Sequence, residues 1–190
     1  MYSSRKQRIE DISFGASSSS ILPKDSISHT SWLDKNIFGV TSFDGYFRMY
    51  EINFQAQNYC FDLVFQFKYD FPLTHFTFVP NSTFLVLGTC DGKVLLVDYN
   101  SSQNTLNQNF KIIDEFSNPV LKVFYVEETQ TIICTDCIKT CHYIDLVSMN
   151  VEGQYITDRE IMDCDVQFPY FVIALSDNHL DFVNAKSFQR

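Results

Sequence analysis

Residues 84–98 read FLVLGTCDGKVLLVD, in which two apolar runs flank a short polar stretch. The dipeptide Asp91-Gly92 within it accepts the positive φ angles of a tight hairpin turn. Neither run shows the regular alternation with polar residues that a half-exposed strand has, which is typical of strands covered on both faces. The stretch therefore predicts two adjacent strands buried inside a packed β structure.

The same strand–turn–strand pattern occurs four times along the chain. The turn and the second run comprise residues 44–51, 91–98, 138–145 and 177–184, so the repeats are spaced by 47, 47 and 39 residues. Other β-rich runs precede these hairpins, as at residues 73–79. A repeat of about 40 to 47 residues with three or four strands is typical of a β-propeller blade. A sandwich of short strands is the alternative, but it gives no reason for the repetition.

The predicted fold class is therefore all-β, a partial β-propeller with about four blades. Residues 1–25 are predicted to hold an N-terminal strand, between Arg8 and Phe14, and a serine-rich linker. A polar segment at residues 100–109 is predicted to be an exposed loop. Blades 1–4 are predicted within residues 26–190, with repeat turns at 44–45, 91–92, 138–139 and 177–178.

The ends of the four repeats resemble those of the WD-repeat family. Where that family has Trp-Asp, the repeats end in Tyr-Glu, Val-Asp, Ile-Asp and Val-Asn, with Tyr50, Val97, Ile144 and Val183 at the tryptophan position. The acidic turn residue seven positions before the end of the repeat is present in three of the four repeats. The chain thus resembles a divergent WD-repeat propeller.

Several segments resemble one branch of that family, the Rae/Gle-type mRNA export factors of the nuclear pore. Residues 23–28 and 41–52 are similar to the opening of the first blade, with Phe43 where the branch has tryptophan. Residues 158–180 are similar to the fourth blade without a gap. They carry its Asp-Val-x-aromatic-Pro-x-x-Val-x-Ala pattern from Asp165 onward.

The turns of the middle repeats carry the same resemblance. Cys90 and Asp91 match the turn in the second blade of these export factors, and Lys139 and Thr140 match part of the turn in the third. The resemblance covers residues 23–185 and implies four blades of a probable seven. A ring of seven blades needs about 300 residues, so we expect an uncovered apolar face beside the fourth repeat and self-association through it.

The resemblance also implies a function. Proteins of this branch are non-enzymatic interaction platforms that bind a nucleoporin peptide segment and the mRNA export machinery. The expected location is the nucleus at the nuclear pore complex, with the cytoplasm as a further compartment. Two alternatives stay open: a Bub-type mitotic spindle checkpoint adaptor, which shares the general layout, and a propeller with a metal-binding or enzymatic role.

The peptide surface is predicted at the turns that join the second and third strands of the blades. Phe43 is the strongest candidate, because an aromatic side chain in an Asp-Gly turn is costly to expose and aromatic residues dominate peptide interfaces. The turn aspartates have a structural alternative, in which they only accept hydrogen bonds from main-chain N–H groups. The predicted partner-binding residues are Phe43, Asp44, Cys90, Asp91, Lys139, Asp177 and Asn178.

The charge of the chain disfavours binding to nucleic acid. Fourteen basic and 23 acidic residues give a net charge of −9, which on average repels a phosphate backbone. The basic cluster Arg5, Lys6 and Arg8 is the predicted site of any RNA contact, with a solvated terminus as the alternative. No apolar run approaches the roughly 18 residues of a membrane span. No apolar segment follows the basic start either, so we expect an intracellular protein without a secretory signal.

One cluster of thiols has a spacing that resembles a zinc site. It comprises Cys134, Cys137, Cys141 and His142. Structural zinc sites usually combine two such clusters, and the sequence has no second Cys-x-x-Cys, so buried structural cysteines are favoured. The sequence also lacks a nucleophile elbow, a His-Glu-x-x-His motif and a dinucleotide-binding motif. We therefore predict no catalytic, cofactor-binding or metal-binding residues.

Overall fold

The computed structural model describes residues 22–55, 58–100 and 110–188. These residues form fifteen strands in four antiparallel sheets and no helix. The predicted fold class is confirmed, because the four sheets are consecutive blades of a β-propeller. Within these ranges there is accordingly no helix long and apolar enough to cross a membrane.

The strands of each blade follow one another both in the sequence and in the sheet. Blade 1 contains β1 (Ile27–Trp32), β2 (Ile37–Ser42), β3 (Tyr46–Gln55) and β4 (Asn58–Lys68). Blade 2 contains β5 (Leu73–Phe78), β6 (Phe84–Thr89), β7 (Lys93–Asp98) and β8 (Phe110–Glu115). Blade 3 contains β9 (Val120–Val126), β10 (Thr131–Asp136), β11 (Thr140–Asp145) and β12 (Asn150–Ile156). Blade 4 contains β13 (Ile161–Gln167), β14 (Tyr170–Leu175) and β15 (Leu180–Asn184).

Parts of the predicted domain organisation lie outside the described residues. The predicted N-terminal strand between Arg8 and Phe14 is one of them, and so is the predicted loop at 100–109 apart from its first residue. The described part of blade 1 begins with a short irregular segment at residues 22–26.

The first strands of the blades lie side by side. Strand β1 contacts β5, β5 contacts β9, and β9 contacts β13. Each first strand shifts its register near its start, between Ile27 and His29 in β1 and at the corresponding place in the other three strands. This repeated bulge places four residues at equivalent positions in the four blades: His29, His75, Lys122 and Asp163.

Apolar cores fill the spaces between consecutive blades. Phe47 of blade 1 packs in one core with Leu85 and Leu87 of blade 2. The next core joins blades 2 and 3, and a third joins blades 3 and 4. Glycine is required where the first two blades approach closely, because a Cβ atom at Gly39 would lie 2.7 Å from ring atoms of Phe47 and Phe76.

Of the residues at the tryptophan position of the resemblance, Val97, Ile144 and Val183 belong to these cores, whereas Tyr50 stacks on Phe38 at the opposite face of blade 1. Tyr50, Val97, Ile144 and Val183 are all buried. Burying a large apolar side chain stabilises a fold by about 1.5 to 3 kcal/mol. All four residues therefore contribute a buried side chain to their blade.

Candidate partner-binding rim

The turns between the second and third strands lie along one edge of the propeller. We call this edge the turn rim and define it by residues 43–45, 90–92, 137–139 and 176–178. In every blade the main-chain N–H at the start of the turn donates to a carbonyl just before the first strand, over 2.9 Å in each case. The four pairs are Phe43 to Ser26, Cys90 to Pro72, Cys137 to Pro119 and Ser176 to Glu160. The rim therefore also contains the connections that lead into the first strands.

In the first turn, Asp44 is the centre of a largely buried hydrogen-bond network. Its carboxylate accepts hydrogen bonds from the main-chain N–H of Lys24 at 2.9 Å, from Arg48 Nη2 at 3.0 Å and from the Ser42 hydroxyl. Burial alone would raise the pKa of Asp44, but the hydrogen bonds from Arg48, Lys24, Ser42 and Tyr46 outweigh it and hold the pKa well below its usual range. Arg48 is only 1% exposed, so the ion pair connects the turn to a buried side chain of β3. Gly45 has a φ of 78°, which few other residues accept.

The second turn is built in the same way but closer to solvent. The Tyr69 hydroxyl donates to the Asp91 carboxylate at 3.3 Å, and Lys93 Nζ lies 3.3 Å from the same carboxylate. Gly92 has a φ of 87°. Cys90 is half-buried beside them, and burial raises the pKa of its thiol, with a further contribution from Asp91. A thiol with a raised pKa stays protonated and is a poor nucleophile.

In the third turn the aspartate stands one residue before the turn, where the sequence analysis did not place it. Asp136 accepts hydrogen bonds from the main-chain N–H groups of Ile138, Lys139 and Thr140 at 2.8 to 3.0 Å. It also accepts one from the side chain of Asn118 at 3.0 Å. The predicted residue Lys139 donates from its Nζ to the Asp158 carbonyl at 3.1 Å. The sequence feature that could have identified Asp136 is the Thr-Asp-Cys run at residues 135–137, directly before the aligned repeat.

The fourth turn is exposed. Asp177 lies 3.1 Å from the Nδ1 atom of His179 and 3.5 Å from Nε of Arg159. Asn178 occupies the glycine position with a φ of 67°. In each blade, then, the aspartate contacts a residue just before its own first strand. These residues are Lys24, Tyr69, Asn118 and Arg159. The turn aspartates accordingly hold two segments of the rim together.

Exposed apolar side chains on this rim include Phe43, Phe71 and Ile138. Phe43 is 44% exposed, Phe71 in the connection before β5 is 48% exposed, and Ile138 is 37% exposed. Phe43 and Phe71 flank the same turn, because a Cβ atom at Gly45 would lie 3.1 Å from the Phe71 carbonyl oxygen. The sequence analysis selected Phe43 but missed Phe71, whose connection shows no repeat pattern, and Ile138, which stands in the third repeat where the other repeats have the turn aspartate.

A polar cleft of about 380 Å³ lies between the first strands. His29 and His75 stack in it, with ring centroids 3.7 Å apart. Burial lowers the pKa of His75 to about 3, helped by the neighbouring His29 and Lys122. Lys122 forms an ion pair with Asp163 and donates to the Cys164 carbonyl at 3.1 Å. The cleft therefore presents two neutral imidazoles beside one ion pair at neutral pH.

The four residues with zinc-like spacing do not form a single cluster. Cys134 lies in the core between blades 2 and 3, whereas Cys141 lies in the core between blades 3 and 4. Cys134 Sγ lies 3.6 Å from the Asp114 carboxylate, which also contacts His142 Nδ1 at 2.6 Å. Burial raises the pKa of the Cys134 thiol well above its usual value. In the described part of the chain, no three His, Cys, Asp or Glu residues are grouped as metal ligands.

The fold and its rim define a WD-repeat-like β-propeller. No family model and no curated protein matches the chain. Among solved structures it is similar to Sqt1 of Saccharomyces cerevisiae, a WD-repeat protein, with a TM-score of 0.70 and 10% identity over 88% of this chain and 49% of that one. It is also similar to the computationally designed Ika4 protein, with a TM-score of 0.68 and 12% identity over 85% of this chain and 92% of that one.

At sequence identities of 12% and 10%, these similarities show only that the fold is shared. The chain spans about half the length of Sqt1. The predicted RNA-contact residues Arg5, Lys6 and Arg8 lie outside the described residues. The predicted turn residues all lie on the turn rim, and whether they bind a partner stays a prediction.

Proposed function

We propose that this chain is a non-enzymatic WD-repeat-like scaffold whose turn rim binds a short peptide segment. The proposal rests on the exposed aromatic pair Phe43 and Phe71 beside the first turn. The turn beneath them is fixed by the buried Arg48 and its bonds to Asp44. Aromatic side chains held on a rigid support lose little conformational entropy on binding, which favours their use as contact residues.

We further propose that the peptide is a segment of a phenylalanine-glycine nucleoporin, and that the protein serves mRNA export at the nuclear pore. The support is the resemblance to Rae/Gle-type export factors at residues 23–28, 41–52 and 158–180. The exposed Phe43, Phe71 and Ile138 suit a partner that presents apolar side chains. This proposal implies a location at the nuclear pore complex in the nucleus.

Fluorescence anisotropy with a labelled nucleoporin peptide tests the proposal. The Phe43→Ala variant should bind at least about tenfold more weakly, equivalent to about 1.4 kcal/mol. Phe84→Ala is the matched control, because Phe84 is similarly exposed at 40% but begins β6 at the edge opposite the turn rim. Thermal melts of both variants should differ little from that of the wild type.

Other outcomes would contradict the proposal at different levels. If Phe43→Ala lowers the melting temperature and leaves binding unchanged, Phe43 is a packing residue. If the wild-type chain binds no nucleoporin peptide, the assignment to mRNA export is wrong. Preferential binding of a kinase-borne peptide would instead support the checkpoint adaptor.

We propose that any contact with RNA is made by Arg5, Lys6 and Arg8. Because only three basic residues take part, binding should depend weakly on salt concentration. Deletion of residues 1–8 should abolish most of the binding in an electrophoretic mobility assay. A steep salt dependence that survives the deletion would show that a basic surface elsewhere is responsible.

A further inference from the structure

Each inner blade packs one face on the preceding blade and the other on the following blade; we call these its back face and its front face. Two residues of each third strand lie on the front face, at equivalent register positions. The pairs are Phe47 and Met49 in blade 1, Val94 and Leu96 in blade 2, Cys141 and Tyr143 in blade 3, and Leu180 and Phe182 in blade 4.

The burial of these pairs differs sharply between blade 4 and the others. Val94 and Leu96 are 0% and 7% exposed, whereas their counterparts Leu180 and Phe182 are 56% and 58% exposed. The neighbouring strand β14 adds the exposed Tyr170 to the same face. Contiguous apolar surface of this kind marks an interaction site. The front face of blade 4 therefore carries apolar residues like those that are buried between the other blades, but here they are exposed.

The back face of blade 1 is its counterpart. Trp32 and Ile27 are more than half exposed there. Beside them lies an apolar cleft of about 180 Å³, whose lining includes Ile27, Phe38 and Val40. Phe38 and Val40 alternate along β2 with Gly39, which faces blade 2. Among the described residues, the front face of blade 4 is thus exposed at Tyr170, Leu180 and Phe182. On the back face of blade 1 the exposed apolar side chains lie on β1, whereas Val40 and Tyr50 behind the cleft are each only 4% exposed.

We propose that the occupant of both faces is a second copy of this chain. The front face of blade 4 in one copy packs on the back face of blade 1 in the other, and the twofold-related contact forms at the opposite end. This arrangement repeats the front-to-back packing already present between blades 1 and 2, 2 and 3, and 3 and 4. Two such junctions close a ring of eight blades and leave no apolar end.

The area available is consistent with a stable dimer. Trp32, Tyr170 and Phe182 are each 58% or 59% exposed. An aromatic side chain buries about 150 to 250 Å², so each of these leaves roughly 100 Å² in water. Two junctions therefore remove roughly 600 Å² of aromatic surface. With Ile27 and Leu180, and with the main chain around them, the total approaches the roughly 1,200 Å² at the lower end of stable interfaces.

Trp32, Tyr170 and Phe182 lie outside the residues that define the turn rim, so the proposal does not depend on the peptide-binding function. Sedimentation equilibrium of the whole chain at several concentrations tests it. We expect a species of about 44 kDa, twice the mass of the 22.1 kDa chain. A monomer at tens of micromolar would overturn the proposal and leave residues 1–21, or further blades of a longer chain, as the occupant.

Two variants test the geometry of the junctions. Phe182→Glu impairs the front face of blade 4, and Trp32→Glu impairs the back face of blade 1. Each should weaken dimerisation at least a hundredfold. Val147→Glu is the control, because Val147 is also exposed but lies in a turn of blade 3 outside both faces. Circular dichroism verifies that all three variants keep their β structure.

Mixing the two impaired variants gives the sharpest test. A mixed dimer of Phe182→Glu and Trp32→Glu retains one junction with two unaltered faces, whereas either variant alone has none. Dimer should therefore reappear in the mixture. Failure to recover dimer, a ladder of larger species, or a wild-type dimer that neither substitution weakens would each overturn the proposed ring.

Discussion

The first and fourth turns each have an aspartate at the same position of the turn, but the surroundings of the two side chains differ. Asp44 is almost buried and is paired with the buried Arg48. Asp177 is exposed, and its partners Arg159 and His179 are exposed as well. Water screens exposed charges, whereas a buried charge left without its partner is costly. Removing the aspartate should therefore destabilise the fold strongly in the first turn and have little effect in the fourth.

The largest effect is expected from breaking the first turn. Asp44→Asn removes the charge that compensates the buried guanidinium of Arg48. Leaving one member of a buried pair uncompensated typically costs about 3 to 5 kcal/mol. Urea denaturation should show a fall of this size in the free energy of unfolding.

A second variant shows whether the buried charge is the cause. The double variant Asp44→Asn with Arg48→Met removes both charges, and it should lose less stability than Asp44→Asn alone. Equal losses in the two variants would show that the turn conformation, and not the unpaired guanidinium, sets the effect.

An intermediate effect is expected in the third turn. Asp136 is buried there, and the hydrogen bonds described above come from neutral groups. Asp136→Ala leaves the main-chain N–H groups of residues 138–140 without their acceptor. The expected loss is about 2 kcal/mol, measured by the same urea titration. Asp136→Asn keeps one acceptor oxygen and should recover part of it. No difference between the alanine and asparagine variants would contradict this account.

Lowering the pH should weaken the first turn in the wild-type protein. The pKa of Asp44 is lowered in the folded chain, so its contribution is present above the unfolded pKa of about 3.9 and is lost as pH falls toward the lower folded value. Between pH 4 and pH 3 the stability difference between wild type and Asp44→Asn should shrink by about 1 kcal/mol at most. A difference that stays constant down to pH 3 would mean that Asp44 is not the titrating group.

The smallest effect is expected in the fourth turn. Asp177→Ala removes only exposed contacts, so the midpoint of thermal unfolding should not change measurably. Measured beside Asp44→Asn and Asp136→Ala, this variant tests the predicted order of effects, from the buried ion pair through the buried neutral hydrogen bonds to the exposed contacts. A loss as large as that of Asp136→Ala would show that the carboxylate of Asp177 carries more than its exposed contacts indicate.

The blades could be predicted from the sequence because their signals are local. The Asp-Gly dipeptides at 44–45 and 91–92 and the apolar runs beside them indicate hairpins without reference to distant residues. Asp136 was missed because the aspartate that accepts the hydrogen bonds of the third turn lies one residue before that turn. The alignment of repeats assumed a fixed position for the turn aspartate.

Contacts between blades could not be predicted in the same way. Cys134 and Cys141 are close in sequence, yet the strand register places them on opposite faces of blade 3. His29 and His75 are 46 residues apart and stack because two bulged strands lie side by side. Such pairs depend on register and on the packing of one blade against the next, which single-sequence periodicity does not determine.

Because every first strand has a bulge at its start, each blade contributes one side chain to the cleft between these strands independently of the other blades. Each bulge belongs to its own blade, and the residue that follows it faces the cleft whatever its chemistry: an imidazole at His29 and His75, an ammonium at Lys122, a carboxylate at Asp163. The backbone tolerates all three groups at this one position. The charge of the cleft can thus change one blade at a time while the hairpins and the turn rim stay as they are.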